Sequence, residues 1–216
     1  MSFILIAEQV LNGLQFGIML FLMAAGLTLI FGVMGLINLA HGSLYMVGAF
    51  AAAAVAGATG SFVLALAAAM AAAAAAGALI ELLVIRRLYD KDHLDQVLAT
   101  FALILIFSEG TRWMFGSFPL FLQIPPYLSG PVSLPGGIEY PLYRLVLIGA
   151  GLFVAAGLGL MITRTRIGIQ IRAGENDREM IAALGVDISR LYTLIFALGA
   201  ALAGLAGALV GAIQSV

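Results

Sequence analysis

Long apolar stretches without formal charge dominate this chain. No Asp, Glu, Lys or Arg occurs from position 9 to position 80, and further charge-free stretches run from 145 to 163 and from 191 to 216. About 20 apolar residues cross the hydrocarbon of a bilayer as a helix, so the first stretch has room for three crossings. A shorter block, Gln96 to Ser108, becomes long enough when it continues to Gly116, and Glu109 and Arg112 are then spaced to pair on one helix. The pattern predicts spans at approximately 9–31, 42–58, 62–85, 96–116, 145–163 and 191–216.

The first stretch is interrupted between Gly32 and His41, where the sequence reads GVMGLINLAH. Glycines and Asn38 disturb the apolar pattern there, whereas Thr59, Gly60 and Ser61 form a compact turn signal. One early segment is therefore predicted to be either a broken helix or a re-entrant one. The fold class predicted is an all-α integral membrane protein, a single polytopic bundle of about six transmembrane helices.

Composition places the outside of this bundle in lipid. Hydrophobic residues make up 63% of the 216 positions and charged residues 10%, and the mean hydropathy is +1.13. Too few polar side chains remain to cover a water-soluble domain of this size, so the bilayer is the expected partner. The net charge is −1 and no long basic run occurs, which argues against a nucleic-acid partner. Cysteine is absent, which excludes disulfides and thiolate metal sites.

The basic residues predict the orientation of the spans. They fall mainly in two loops, one with Arg86, Arg87 and Lys91, the other with Arg164, Arg166, Arg172, Arg178 and Arg190. The positive-inside rule makes both loops cytoplasmic. The segment 117–143, which holds all six prolines, is then an external loop. The N-terminus is external if the three early spans are complete and internal if the second is re-entrant.

The most polar point in the early apolar stretch is INLAHGSLY. In a continuous helix Asn38, His41 and Tyr45 would share one face, with Ser43 beside them. Polar residues at membrane depth usually face a cavity, which favours these four as part of a translocation path. The alternative is that they form hydrogen bonds between helices. A hydrolase dyad of His41 and Ser43 is disfavoured because no orienting acid is near in sequence.

The second basic loop, 164–190, contains signals for a short helix. Asn176 or Asp177 is suited to cap its start, the helix would run to Leu184, and Gly185 would end it. Met180, Ile181 and Leu184 give it an apolar side. Such a helix either lies on the membrane surface or inserts into a groove of a partner protein.

Motifs for energy coupling and catalysis are missing from the chain. Lys91 is the only lysine, and no Gly-Lys-Ser/Thr phosphate loop surrounds it. His-Glu-x-x-His and Gly-x-Ser-x-Gly are absent as well. We therefore expect a transport subunit that is not an enzyme, has no ATPase motif of its own and carries no cofactor.

Two segments resemble the permeases of branched-chain amino-acid ABC importers, the LivH type. They are GLTLIFGVMGLINLAHGSLYMVGAF and RAGENDREMIAALGVDISRLYTLIFALGAALAGLAGAL, and the similarity extends along nearly the whole chain. The resemblance implies a bacterial inner-membrane importer for branched-chain or related amino acids. Its implied partners are a second related permease, two cytoplasmic ATP-binding subunits that use the ATP, and an extracytoplasmic solute-binding protein.

The same resemblance implies a role for the loop 164–190. Residues 175–185 would form the coupling helix that docks on the ATPase, which includes Glu175, Asn176, Asp177 and Gly185. Charged contacts with the ATPase would come from Arg172, Arg178 and Glu179. Family members continue with further spans beyond the position of Val216, so a fragment or a truncated gene product is expected.

Other functions remain open at this stage. A urea or short-chain amide permease would share the fold and the coupling to an ATPase. A passive channel or an ion-coupled carrier, outside the ABC class, would use the face of Asn38 and His41 for selectivity or proton transfer. Uptake that depends on an ATPase would indicate an ABC permease, for amino acids or for urea and amides. Uptake without an ATPase would indicate a channel or an ion-coupled carrier.

Overall fold

A computed structural model describes residues 3–116 and 122–213 of the chain. Eight α-helices follow one another in this part: α1 (Phe3–Met34), α2 (His41–Thr59), α3 (Phe62–Leu83), α4 (His93–Phe115), α5 (Leu142–Arg164), α6 (Arg166–Asn176), α7 (Arg178–Ala183) and α8 (Ile188–Gly211). Two 3-10 turns lie at Ile85–Leu88 and Pro126–Leu128, and a hairpin is formed by β1 (Pro131–Leu134) and β2 (Ile138–Pro141). The described residues confirm an all-α membrane fold with one small hairpin.

Six of these helices are long and apolar enough to cross a membrane, namely α1 to α5 and α8. Several extend past the predicted spans, and α1 does so at both ends. A helix can continue past the hydrocarbon into the headgroup region because its backbone groups stay hydrogen-bonded. Glu109 and Arg112 pair at 3.6 Å on α4, as their spacing predicts.

Helix α8 is the centre of the bundle, and α1, α2 and α3 pack around it. Its small residues allow the close contacts: Gly199 lies against Gly26 of α1, and Gly204 lies against Gly48 of α2 and Ala73 of α3. An added Cβ at any of these four glycines would collide with the backbone or the Cβ atom of the facing helix. The small residues of α8 thus line the surface along which four helices meet.

The two ends of the bundle differ in composition. At one end the loop after α3 and the loop between α5 and α8 lie together, since Arg178 lies 3.9 Å from Asp90. We call this the Arg-rich end. At the other end the hairpin lies over α1, where Tyr140 and Arg144 both donate hydrogen bonds to Asn12 Oδ1 at 3.1 and 2.8 Å. We call this the Pro-rich end.

The hairpin is antiparallel and pairs Val132 with Tyr140. Gly136 and Gly137 both have positive φ in its turn, a conformation that glycine adopts without strain. Pro125, Pro126, Pro131, Pro135 and Pro141 lie in or beside this ordered segment. Pro119, together with Phe118 and Phe121 of the predicted external loop, lies outside the described residues.

Candidate functional site

The interruption in the first apolar stretch is a non-helical segment, residues 35–40, between α1 and α2, with a turn at residues 39 and 40; we call it the extended segment. Gly35 ends α1 with a φ of 62°. The next residues alternate, with Leu36, Asn38 and Ala40 buried and the residues between them exposed. This period of two is that of an extended chain and not of a helix. Of the two predicted possibilities the structure contains the broken form, because α2 continues to the Pro-rich end, where α3 begins.

Asn38 stands in this extended segment and not on a helical face. Its Oδ1 accepts a hydrogen bond from the N–H of Ala40 at 3.0 Å, the geometry of an Asx turn. The prediction that Asn38 shares one helical face with His41 and Tyr45 was wrong, because α2 begins only at His41. The turn also fixes the amide orientation, so that Nδ2 is left as a buried donor without a partner among the described residues.

His41 is the first residue of α2, and its side chain is buried against α1. Its Nε2 lies 3.3 Å from the carbonyl oxygen of Met23, and since a carbonyl only accepts, Nε2 carries the proton of this bond. In the neutral ring Nδ1 is then an acceptor, and it has no partner among the described residues. Met23 lies about three helical turns before the end of α1 at Met34, so the segment 35–40 runs back into the bundle.

Ser43 and Tyr45 follow on the first turn of α2. Ser43 is buried, whereas Tyr45 is half-buried and its backbone carbonyl lies against Gly207 of α8. The structure thus brings His41, Ser43 and Tyr45 onto one helix turn, with Asn38 placed just before it.

The backbone of the extended segment is also incompletely bonded. In the described part of the chain, the N–H groups of residues 36 to 39 have no hydrogen-bond partner. Unpaired backbone groups at membrane depth are costly unless they face a cavity, water or a solute. Together with Asn38 Nδ2 and His41 Nδ1 they are the polar atoms of this segment that the described residues leave without a partner.

The loop 164–190 contains two helices where the sequence predicted one. Thr165 caps α6 by accepting from Gly168 N at 3.1 Å, and Asp177 caps α7 by accepting from Glu179 N and Met180 N at 3.0 and 2.9 Å. The second helix ends before Gly185, whose φ is 88°. Helix α6 was missed because its apolar residues are few, although Thr165 is an ordinary capping residue.

The three apolar side chains predicted for α7 do not all face the bundle in the structure. Ile181 packs into a buried cluster with Leu29, Ile171 and Leu191. Met180 and Leu184 remain exposed at 59% and 77%. The helix is therefore attached to the bundle by one side chain and presents two apolar side chains outward.

The other predicted coupling residues lie on both helices. Arg172 and Glu175 are on α6, and Asn176 at its end donates from Nδ2 to the Arg172 carbonyl at 2.7 Å. Arg178 and Glu179 are exposed on the first turn of α7. Arg178 and Asp90 connect this turn to the loop after α3.

A second buried polar cluster, centred on Glu81, was not singled out from the sequence. The Glu81 side chain is 0% exposed, and Arg86 donates to both its oxygens at 3.2 Å. Thr193 of α8 donates to the same carboxylate at 2.6 Å, and so does the Tyr89 hydroxyl. Burial and the bond to Glu81 both raise the pKa of Tyr89. The cluster joins α3, the following loop and α8 at the Arg-rich end.

One signal in the sequence could have indicated this cluster. Glu81 is the first charged residue after 72 positions without one, and Arg86 follows closely at the end of the same span. A lone acid near a membrane helix end generally has a basic partner. In the described residues, no group of three His, Asp or Glu side chains is placed to hold a metal ion.

A multi-pass helical bundle with a broken early helix is an arrangement that membrane transporters use. Comparison with protein families makes this specific. Residues 9–216 match the family described as the permease component of the branched-chain amino acid transport system. The chain belongs to this family.

Curated relatives carry the corresponding descriptions. The chain is 30% identical to the high-affinity branched-chain amino acid transport system permease protein BraD of Pseudomonas aeruginosa, over 94% of this chain and 70% of that protein. It is 28% identical to LivH of Salmonella typhimurium and 27% identical to LivH of Escherichia coli K12, in both cases over 100% of this chain and 73% of the relative. No solved structure matches. The resemblance stated from the two sequence segments is confirmed.

Proposed function

We propose that this chain is the membrane-spanning permease subunit of an ATP-driven importer for branched-chain or related amino acids, seated in the bacterial inner membrane. Its energy comes from two separate ATP-binding subunits, and a second permease and an extracytoplasmic solute-binding protein complete the importer. Family membership supports the transport role. The observation that supports the solute path best is the extended segment 35–40, with its unpaired buried donors and the acceptor of His41.

The solute path in this proposal passes the extended segment. Asn38 Nδ2 and the free backbone N–H groups donate hydrogen bonds to solute oxygen atoms, and His41 Nδ1 accepts one from a solute N–H group. Ser43 and Tyr45 lie on the turn of α2 that follows. Leu36, Asn38 and Ala40 are buried, so a movement of α2 against α1 exposes the segment to the solute.

Helix α7 is the coupling helix in this proposal. Met180 and Leu184 provide exposed apolar contacts for a groove of the ATPase, and Arg178 and Glu179 provide charged contacts around them. Ile181 connects α7 to the cluster that contains α1 and α8 residues. Movement of α7 therefore reaches α1, which precedes the extended segment, and α8, which packs against α2. Arg172 and Glu175 extend the charged surface along α6.

The function is tested by reconstituting the chain with its partner subunits in proteoliposomes. Labelled leucine is expected to accumulate only when ATP is supplied on the ATPase side. Uptake that persists without the ATP-binding subunits would contradict the proposal and would favour a channel or an ion-coupled carrier.

The solute path is tested by Asn38→Ser, because a serine hydroxyl can still accept from Ala40 N–H while the Nδ2 donor is lost. Uptake should fall severalfold while ATP hydrolysis and protein yield stay close to wild type. Thr163→Ala is the matched control, since this polar side chain is exposed on α5 and bonds only to Gly159 O in its own helix. Equal uptake by the two variants would remove Asn38 from the path.

A urea or short-chain amide permease is the second candidate. It is favoured by one observation, since Asn38 Nδ2 and His41 Nδ1 are a neutral donor and a neutral acceptor, which match an amide as well as an amino acid. Competition between labelled leucine and urea for the cognate solute-binding protein decides between the two.

A further inference from the structure

A crevice lies between α1 and α5 and is closed by α6 at the Arg-rich end. Its volume is about 470 Å³. The lining is almost entirely apolar: Phe21, Leu29 and Val33 of α1, Leu158 and Ile162 of α5, and Ile171 of α6. Towards the Pro-rich end α1 and α5 come together, because Ile18 lies against Gly151. The crevice is therefore V-shaped, with its wide part near α6.

The dimensions of the crevice match one leaflet of a bilayer. Its α1 wall runs from Phe21 to Val33, a rise of about 18 Å. Half of the hydrocarbon thickness is about 15 Å. An amino acid would occupy only a small part of such a groove, whereas an acyl chain would follow its whole length.

Two opposite charges stand where the crevice meets the Arg-rich end. Arg172 and Glu175 are three residues apart on α6, and both line the crevice. Other pairs with this spacing form ion pairs, such as Asp187 with Arg190 at 2.9 Å. In the part of the chain that the structure describes, Arg172 and Glu175 side chains have no ion pair or hydrogen bond. Both charges are therefore free to bind a ligand.

We propose that this crevice binds a phospholipid of the cytoplasmic leaflet with an amine-bearing headgroup, a phosphatidylethanolamine. One acyl chain lies along α1 from Val33 towards Phe21, the phosphate contacts the Arg172 guanidinium, and the ammonium contacts the Glu175 carboxylate. The positive-inside rule places α6 at the height of the inner headgroups. This site does not depend on the transported solute.

The pair of charges selects among headgroups. Phosphatidylglycerol offers the phosphate to Arg172 but no cation to Glu175, and its net negative charge is repelled there. Phosphatidylcholine offers a quaternary ammonium that cannot donate a hydrogen bond to the carboxylate. Only the primary ammonium satisfies both side chains.

The experiment uses the purified full chain in mild detergent, delipidated and then exposed to equal amounts of the three lipids with identical acyl chains. Native mass spectrometry counts the adducts retained. The ethanolamine lipid should exceed each of the others about threefold, as expected for one additional exposed ion pair. Glu175→Gln should abolish the preference over phosphatidylglycerol, and Arg172→Gln should lower binding of both. Arg166→Gln, on the same helix but outside the crevice, should change nothing.

Blocking the groove gives an independent test. A Cβ at Gly32 meets no atom within 4 Å and the residue lines the crevice, so Gly32→Leu fills the groove without a collision. Adducts of all three lipids should fall. Gly17→Leu on the same helix, with equally open space and no part in the crevice, is the matched control. Equal retention of the three lipids, adducts unchanged by Gly32→Leu, or displacement of the lipid by free leucine would each overturn the proposal.

Discussion

The Glu81 cluster and the Asn38 segment are both buried groups of polar atoms in a membrane bundle, yet they differ in how completely they are bonded. Each oxygen of Glu81 accepts hydrogen bonds, and the donors are three residues in all: Arg86, Tyr89 and Thr193. Asn38 and His41 each keep one buried polar atom unpaired. A fully bonded buried group holds elements in one arrangement, whereas an incompletely bonded one has capacity for a ligand or water.

The Glu81 cluster and the Asn38 segment also lie at different depths in the bundle. The Glu81 cluster joins α3, the loop after it and α8 close to the site where α7 meets Asp90. The Asn38 segment lies about three turns deeper along α1, in the region where α1 and α8 touch through glycines. We infer that the first region keeps the bundle rigid at the Arg-rich end and that the second is the part that changes during transport.

The largest effect is expected for Glu81→Ala. Removing the carboxylate leaves the Thr193 hydroxyl without its buried acceptor and separates Arg86 and Tyr89 from α3, which should cost about 3 kcal/mol of unfolding free energy. Thermal unfolding in detergent measures it. Glu109→Ala is the control, because Glu109 pairs with Arg112 at an exposed site and should stay within about 0.5 kcal/mol of wild type. If both variants unfold alike, Glu81 does not hold the helices together.

Thr193→Val should have the next largest effect on stability. It keeps the shape of the side chain but removes the hydroxyl that donates to Glu81 and accepts from Arg86 Nη2 at 2.8 Å. About 1.5 kcal/mol should be lost, since the acceptor is charged. Thr59→Val, also near a helix end but bonded only to Val55 O of α2 and to the adjacent Ser61 N–H, is the comparison. A smaller loss at Thr193 than at Thr59 would contradict the prediction.

Asn38→Ala should lower the stability less than Thr193→Val does, but it should lower the transport rate more. The variant loses one hydrogen bond, from Ala40 N–H, and so about 1 kcal/mol. Leucine uptake should fall more than it does in Thr193→Val, although the latter is the less stable protein. Uptake that merely follows the unfolding temperature across these variants would show that the two regions do not differ in function.

The smallest effect concerns Tyr89 at high pH. Because its pKa in the folded protein is raised above 10.0, its contribution is present below pH 10 and is lost as the pH rises above this value. Wild type should therefore show a steeper fall in unfolding temperature above pH 10 than Tyr89→Phe, which keeps the ring packed against Tyr192. Parallel curves would mean that the hydroxyl is not protected by the cluster.

Much of the fold could be predicted from local sequence features. The length of the charge-free stretches indicated the number of spans, and the arginines indicated which loops lie together. The capping residue Asp177 and the terminating Gly185 were both recognised for α7. These features act within a few residues along the chain, so they can be recognised without knowing which helices are neighbours.

The candidate site was predicted only in part. Asn38 and His41 were recognised as polar residues at membrane depth, but their arrangement on one helical face was wrong, because Gly35 ends α1 and the Asx turn at Asn38 precedes the start of α2 at His41. Helix α6 was missed, and so was the Glu81 cluster, whose partner Thr193 is far away in sequence. Thr165 and the nearness of Glu81 to Arg86 were local signals for them, but the contact with Thr193 depends on how α8 packs against α3.

The sequence by itself determined that this chain crosses a bilayer several times, that its Arg-rich loops face one side, and to which family it is similar. These properties follow from hydrocarbon length, charge and residue identity, all of which are local. The tertiary structure alone decided which polar atoms remain unpaired, that Glu81 is completely enclosed, and that Arg172 and Glu175 border a crevice. Hydrogen-bond satisfaction and burial depend on which helices lie side by side, and that contact is set by packing around α8.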